Sequence, residues 1–143
     1  ETKRYQEEGL KLLSRKVDSL PSKIAFRPKF IKQSSCIKVF DKLYLFISKA
    51  NIKKPLEERF DALFHEIGHW LHFQNIPPLK ECREIWKTAN LEKIKEDVSE
   101  YAVKKDDGRE FVAEVFKGLI KGKKYDEYIM NLYKRLHGPV PHD

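Results

Sequence analysis

The sequence predicts one α+β domain: a small antiparallel or mixed sheet, then a mainly helical second half. Three observations carry this. Apolar residues recur at helical spacing near the start, across residues 56–73, and through most of the chain beyond residue 80. Residues 24–47 hold three short runs rich in β-branched and aromatic side chains. The length of 143 residues, with 41% hydrophobic and 12% aromatic, suits a single core.

The elements follow in order. Leu10, Leu13 and Val17 share one face of a helix over Tyr5–Leu20, which Pro21 closes. Ile24-Ala25-Phe26 reads as a short strand stopped by Pro28. Cys36–Phe40 and Leu43–Ile47 read as two more, and Ile37 to Ile47 is expected to form an antiparallel hairpin. Its turn would be Asp41-Lys42, although the glycine common in tight turns is missing. An exposed strand edge beside the next helix would offer backbone groups to an extended peptide.

Asn51–Pro55 is a polar connector, with Pro55 suited to a first helical turn. One helix is expected from Leu56 to Phe73, ended by Asn75-Ile76-Pro77-Pro78. A second covers Lys80–Ala89, with Cys82, Ile85, Trp86 and Ala89 on one face. Asn90 interrupts it, and helical character resumes from Leu91 through Ile94 and Val98 towards Tyr101. Asp106-Asp107-Gly108 is a turn. Arg109–Phe116 is helical, with Gly118 and Gly122 punctuating its end. A last helix over Tyr125–Leu136 points Tyr125, Tyr128, Ile129, Leu132, Tyr133 and Leu136 inward, and the Gly138–Pro141 tail is irregular.

The stretch with chemistry in it is His65-Glu66-Ile67-Gly68-His69, an H-E-x-x-H pattern. Residues four apart lie one above the other on a helix, so two imidazoles can reach one metal ion from one face. Glu66 then stands beside that ion and can accept a proton from an activated water. Leu63, Phe64, Ile67 and Leu71 predict a largely buried helix, where two histidines and a glutamate need partners.

A catalytic zinc takes three protein ligands. His72 lies on the same face but about 10 Å along the axis from His65, which places it poorly. Glu110 and Glu114 lie one turn apart on an otherwise apolar helix. One acid would meet the metal and the other would orient a histidine from behind. Spacing alone does not decide between them; an amphipathic helix with both acids facing water is the plainer alternative.

Lys plus Arg number 29 against 22 Asp plus Glu, a formal net charge of +7. The lysines are spread along the chain in pairs such as Lys53-Lys54, Lys104-Lys105 and Lys123-Lys124, which predicts a solvated basic surface. There is no glycine-rich phosphate loop and no zinc-finger spacing, so nucleic acid is not the expected partner. Cys36 and Cys82 form no C-x-x-C pair and are expected to be free, buried thiols. No apolar run approaches the roughly 20 residues that cross a bilayer, and no leader opens the chain, so no membrane association is expected. The chain begins at Glu1 rather than Met, so residues 1–143 are expected to be one domain excised from a longer protein. Its compartment stays open, between the cytoplasm and delivery inside that protein.

His65-Glu66-Ile67-Gly68-His69, then Tyr101, then Glu110-Phe111-Val112-Ala113-Glu114-Val115-Phe116 together resemble the zincin metallopeptidases related to the catalytic domain of anthrax lethal factor. They also resemble the zincin-like segments of phage minor head proteins and other mobile-element proteins. The resemblance covers roughly Leu43 to Phe116. It implies a zincin-like fold and zinc-dependent hydrolysis of a protein or peptide. The ligands would be His65, His69 and Glu110, with Zn²⁺ as the cofactor. Glu66 would be the general base, Glu114 would stand behind a ligand, and Tyr101 would stabilise the oxyanion. The gap of nine residues from Tyr101 to Glu110 is longer than the family's, with the extra length in the charged turn 104–108. A second, lesser kinship is with the peptidases that regulate integrated mobile elements, whose downstream acid motif differs. The rival expectation is a catalytically silent zincin-fold binding or structural module of a phage or mobile-element protein.

Overall fold

Strand β3 (Lys42–Ser48) is the middle of a three-stranded mixed sheet in the computed structural model, which describes residues 1–142. On one side β1 (Ala25–Arg27) pairs with it in parallel, Ala25 opposite Phe46. On the other, β2 (Ser35–Val39) pairs antiparallel, Cys36 opposite Leu45 and Val39 opposite Lys42. The expected hairpin is therefore present, but its turn is Phe40-Asp41 rather than Asp41-Lys42. Phe40 takes the left-handed conformation, with φ of 54°, and is 93% exposed. The strand nearest in sequence to the H-E-x-x-H helix is central, so the sheet's edges belong to β1 and β2.

Helix α1 (Thr2–Leu13) stops seven residues before the expected Leu20. Beyond the fully buried Leu13 the chain reads Ser, Arg, Lys, Val, Asp, Ser, and Ser14 turns its hydroxyl back to donate to the Lys11 carbonyl at 2.8 Å. Ser and Asp compete with helical backbone bonds in this way, and Val loses rotamer freedom. Val17 and Leu20 still pack against the core from irregular chain.

The helix expected over residues 56–73 is broken at Phe60 into α2 (Leu56–Arg59) and α3 (Asp61–Phe73). Phe60 stacks on Tyr5 at a centroid distance of 4.9 Å, and the Tyr5 hydroxyl donates to the Arg59 carbonyl at 2.8 Å. A side chain from α1 thus satisfies an acceptor at the break. Gly9 permits this approach, since a Cβ there would overlap Leu63.

The second half is helical throughout. It comprises α4 (Leu79–Trp86), α5 (Leu91–Asp97), α6 (Arg109–Ile120) and α7 (Glu127–Arg135). Helix α5 ends before Tyr101, which stands in a separate 3₁₀ turn, Tyr101–Val103. Helix α6 runs on through Gly118. That glycine is a seat for the Tyr125 ring rather than a stop, since a Cβ would overlap it. Helix α7 starts after Asp126, whose side chain accepts from the Ile129 N–H at 3.0 Å. Tyr128 is not inward as expected. It is 38% exposed, and its hydroxyl accepts from the Asn90 N–H at 2.8 Å. Both cysteines are free, Cys82 buried and Cys36 half-buried. Among the described residues, no helix is long and apolar enough to cross a membrane.

The core lies between α3, α6 and one face of the sheet, with α3 packing most extensively on α6. Leu45 and Ile47 of β3 and Leu63 and Ile67 of α3 are all buried.

Candidate metal centre

Helices α3 and α6 meet at Gly68. A Cβ there would lie 3.1 Å from Ala113 Cα and 3.2 Å from the Phe116 side chain. Only glycine accommodates so close a crossing without displacement. The crossing sets Glu110 and Glu114, one turn apart on α6, against His65 and His69, one turn apart on α3.

One oxygen of Glu110 lies 2.9 Å from His65 Nε2 and 2.9 Å from His69 Nε2. These three donor atoms fall within 4.8 Å of one another, and the group could hold a metal ion. Glu114 sits behind: its Oε2 lies 2.8 Å from His65 Nδ1. It is in turn held by the Ser99 hydroxyl at 2.8 Å and by Lys117 Nζ at 3.0 Å. Spacing had left the two acids interchangeable; the crossing gives them different places, Glu110 between the two imidazoles and Glu114 behind one of them.

The protons show what the group lacks. A carboxylate only accepts hydrogen bonds. His65 faces a carboxylate with each ring nitrogen, so both nitrogens must carry protons when no other cation is present. Burial alone would lower its pKa, but the hydrogen bonds to Glu110 and Glu114 overcome that and push it up to about 9. Burial likewise works against the charge on Glu110, yet the bonds from His65 and His69 hold its carboxyl far below the usual carboxylate range. A divalent cation on the two Nε2 atoms would take the place of those inward protons. It would leave the Nδ1 proton of His65 for Glu114, the carboxylate–histidine support that metal sites use. Two nitrogens and one carboxylate oxygen are a donor set that zinc accepts. The residues therefore fit such an ion. The weak point is His69, whose Nδ1 is buried without a hydrogen-bond partner among the described residues.

Glu66 is 6% exposed and forms no ion pair among the described residues. Burial raises its pKa above the ordinary value, against the opposing pull of His65 and His69. Tyr101 packs edge-on against His65 at 5.4 Å, and Lys104 Nζ lies 5.0 Å over its ring. Its hydroxyl pKa is raised by partial burial and then by Glu110, Glu66 and Glu114. Phe73 stacks on His69 at 5.7 Å. His65, Glu66, His69, Tyr101 and Glu110 open together into a cleft of about 460 Å³, with Ser35 and Cys36 of β2 on its far wall.

His72 takes no part. It is fully buried, and its Nε2 lies 2.7 Å from the Leu136 carbonyl. Ser99 and Lys117 were not singled out by sequence reasoning. Lys117 carried a signal, standing one turn past Glu114; Ser99 carried none. The Ser99 hydroxyl also accepts from the Ala102 N–H at 3.2 Å, so it ties the Tyr101 turn to the acid behind His65.

No protein-family profile matches this chain, and neither a curated protein nor a solved structure shows significant similarity to it.

Proposed function

We propose that the chain is a zinc-dependent metallopeptidase with a zincin-like site held by His65, His69 and Glu110. The observation that carries this is the convergence of those three donors beside a buried glutamate, at the floor of an open cleft. When bound, the zinc supplies a Lewis acid that polarises a carbonyl and lowers the pKa of water.

The other roles fall to side chains. Glu66, in a pocket that raises its pKa, accepts the proton of the attacking water and returns it to the leaving amine. Glu114 keeps the proton on His65 Nδ1 and so leaves Nε2 free as a ligand. Tyr101, over the same cleft, donates its hydroxyl to the negative oxygen that develops on the attacked carbonyl. The free edge of β2 gives an extended substrate a line of backbone partners.

Two measurements test this. Elemental analysis of the purified chain should find zinc at about one per chain, and lost in His69→Ala. Glu66→Gln should keep the zinc and lose roughly 10²–10⁴-fold in peptide cleavage. A Glu66→Gln chain that cleaves as fast as its parent ends the role given to that residue. One observation favours the silent-module reading: no described residue hydrogen-bonds to Nδ1 of His69. Zinc-loaded parent that cleaves no member of a broad peptide library would establish that reading instead.

A further inference from the structure

The walls of the cleft differ from end to end. At the centre are the metal-binding group and Tyr101. Past Cys36, Phe73 and Arg109 the cleft opens into a second pocket of about 440 Å³, lined by Ile37, Phe73, Ile76 and Leu79, with Lys38 also on its lining. Ile37 and Leu79 are 41% and 40% exposed there, apolar walls with nothing over them. On the other side of His65, Glu66 and Tyr101 lies a third pocket of about 410 Å³, whose rim carries Lys32, Lys54 and Lys117.

Charge distinguishes the two ends by degree, with two unpaired lysines at the third pocket against one, Lys38, at the apolar pocket. Apart from Glu66, which lines the cleft without an ion pair among the described residues, the acids around the cleft are already engaged. Glu110 faces the histidines, Glu114 holds His65 and Lys117, Asp107 holds Arg109 at 2.9 Å, and Asp61 holds Lys121 at 2.6 Å. Several of the cations are not. Lys32 and Lys54 at the third pocket, Lys104 and Lys105 at the centre, and Lys38 at the apolar pocket are exposed and make no ion pair among the described residues. Unpaired cations along one wall attract a polyanion and repel a basic chain.

Strand direction adds an order. The chain enters β2 from Ser34 at the third pocket, passes Ser35 and Cys36 at the centre, and runs towards the apolar pocket at Ile37-Lys38. A peptide added antiparallel to its free edge runs the other way, from the apolar pocket to the lysines. Antiparallel pairing is the more stable of the two per residue.

We infer that the cleft selects an extended acidic peptide in which an apolar side chain, seated among Ile37, Phe73, Ile76 and Leu79, precedes carboxylates that meet Lys32 and Lys54. This rests on the peptidase reading for the bond to be cut between those two ends, but not for the binding preference itself.

The test uses the zinc-loaded Glu66→Gln chain and fluorescent eight-residue peptides, read by anisotropy at low and moderate salt. One peptide carries Leu near its start and three Glu near its end; a second replaces the Glu by Lys; a third reverses the order. The acidic peptide should bind about tenfold tighter than its lysine counterpart, the size of two exposed ion pairs acting together, and the gap should narrow with salt. Adding Lys32→Glu and Lys54→Glu should reverse the preference. Adding Leu79→Asp should weaken the acidic peptide while leaving the effect of salt in place. Circular dichroism and zinc content verify that each variant is folded and loaded. Equal binding of acidic and basic peptides overturns the inference, even where the parent cleaves both and the peptidase reading stands. So does a preference that survives the double lysine reversal, or tighter binding of the reversed order. Acidic preference in the variant with no cleavage by the parent upholds the inference and removes the peptidase reading.

Discussion

Across the cleft from one another, α6 and β2 are built differently. Residues 111–116 of α6 are all buried, whereas Ile37, Lys38 and Val39 of β2 are all exposed. The group of His65, His69 and Glu110, which could hold a metal ion, hangs from the dense side, where Gly68 lets two helices cross closely and the acids have fixed partners. The opposite wall is a sheet edge with unpaired backbone groups and few constraints. Precise donor placement needs side chains whose rotamers are locked by packing; reception of an extended chain needs the reverse, an edge left open. Substitutions should therefore hurt stability and metal binding on the helical side and hardly touch them on the sheet side.

The largest effect expected is from Gly68→Leu. Its side chain has to displace Ala113 or Phe116, both within 3.2 Å of the added Cβ. Overpacking of this kind costs about 1–3 kcal/mol, and more where backbone is in the way, as here. Urea unfolding should show a loss of about 3 kcal/mol or more, and zinc stoichiometry should fall with it because Glu110 no longer reaches the histidines. A stable, fully loaded Gly68→Leu chain would mean that the crossing does not place the acids.

The next effect belongs to His72, also on the dense side. Burial pulls its pKa down to about 4, against the hydrogen bond to Leu136 and with help from the charges of His69, His137 and Arg109. The unfolded chain keeps an ordinary histidine near 6.5, so it binds more protons than the folded chain between pH 6.5 and 4. Stability is then complete above pH 6.5 and is lost as pH falls through that window, by roughly 3 kcal/mol in total. The metal-free protein, titrated by chemical denaturation, should show this slope. His72→Gln should flatten it. The other shifted groups of the site act elsewhere. His65, raised to about 9, contributes stability that is lost as pH rises from 6.5 through 9, and the lowered carboxyls act below the usual carboxylate range.

Glu114→Ala comes third. It removes the acceptor behind His65 and leaves Ser99 and Lys117 without their partner. Loss of such a support typically lowers metal affinity about 10–100-fold. Competition with a chelator measures it directly. A variant that binds zinc as tightly as its parent would show that the helix crossing alone orients His65.

These cases also show where the sequence was legible. The pair His65 and His69 lies within one turn of one helix, so local periodicity sufficed. Glu110 and Glu114 stood out as acids on an apolar face. Their different places did not, because these depend on how closely two helices cross, a distance that the missing Cβ of Gly68 permits. The α+β class and the order of elements came through, while several boundaries did not. The break at Phe60 is made by Tyr5, 54 residues from its hydrogen-bond partner Arg59, and no local window contains both. The central place of β3, with β1 and β2 as edges, follows from β1 pairing in parallel with β3, a long-range choice that strand propensity does not encode. Ser99 is an ordinary polar residue until the fold brings Glu114 to it.

The smallest effect sits at the far end of the open wall, and it tests the comparison from the other side. Phe40 occupies the hairpin turn with φ of 54° and is 93% exposed. The left-handed conformation costs an ordinary residue roughly 1–2 kcal/mol, and Asn much less. A ring so exposed gains almost nothing from burial in return. Phe40→Asn should therefore stabilise the chain by about 0.5 kcal/mol, part of the local gain being lost because the unfolded chain relaxes too. Thermal melting should move up slightly, with zinc content unchanged. A clear destabilisation would mean that this aromatic side chain holds the hairpin against the body of the protein, and that the sheet wall is less open than its exposure indicates. A gain in stability without loss of zinc keeps the two walls separate: one that must not change for the donors to meet, and one that carries an unfavourable exposed ring at no cost to the site.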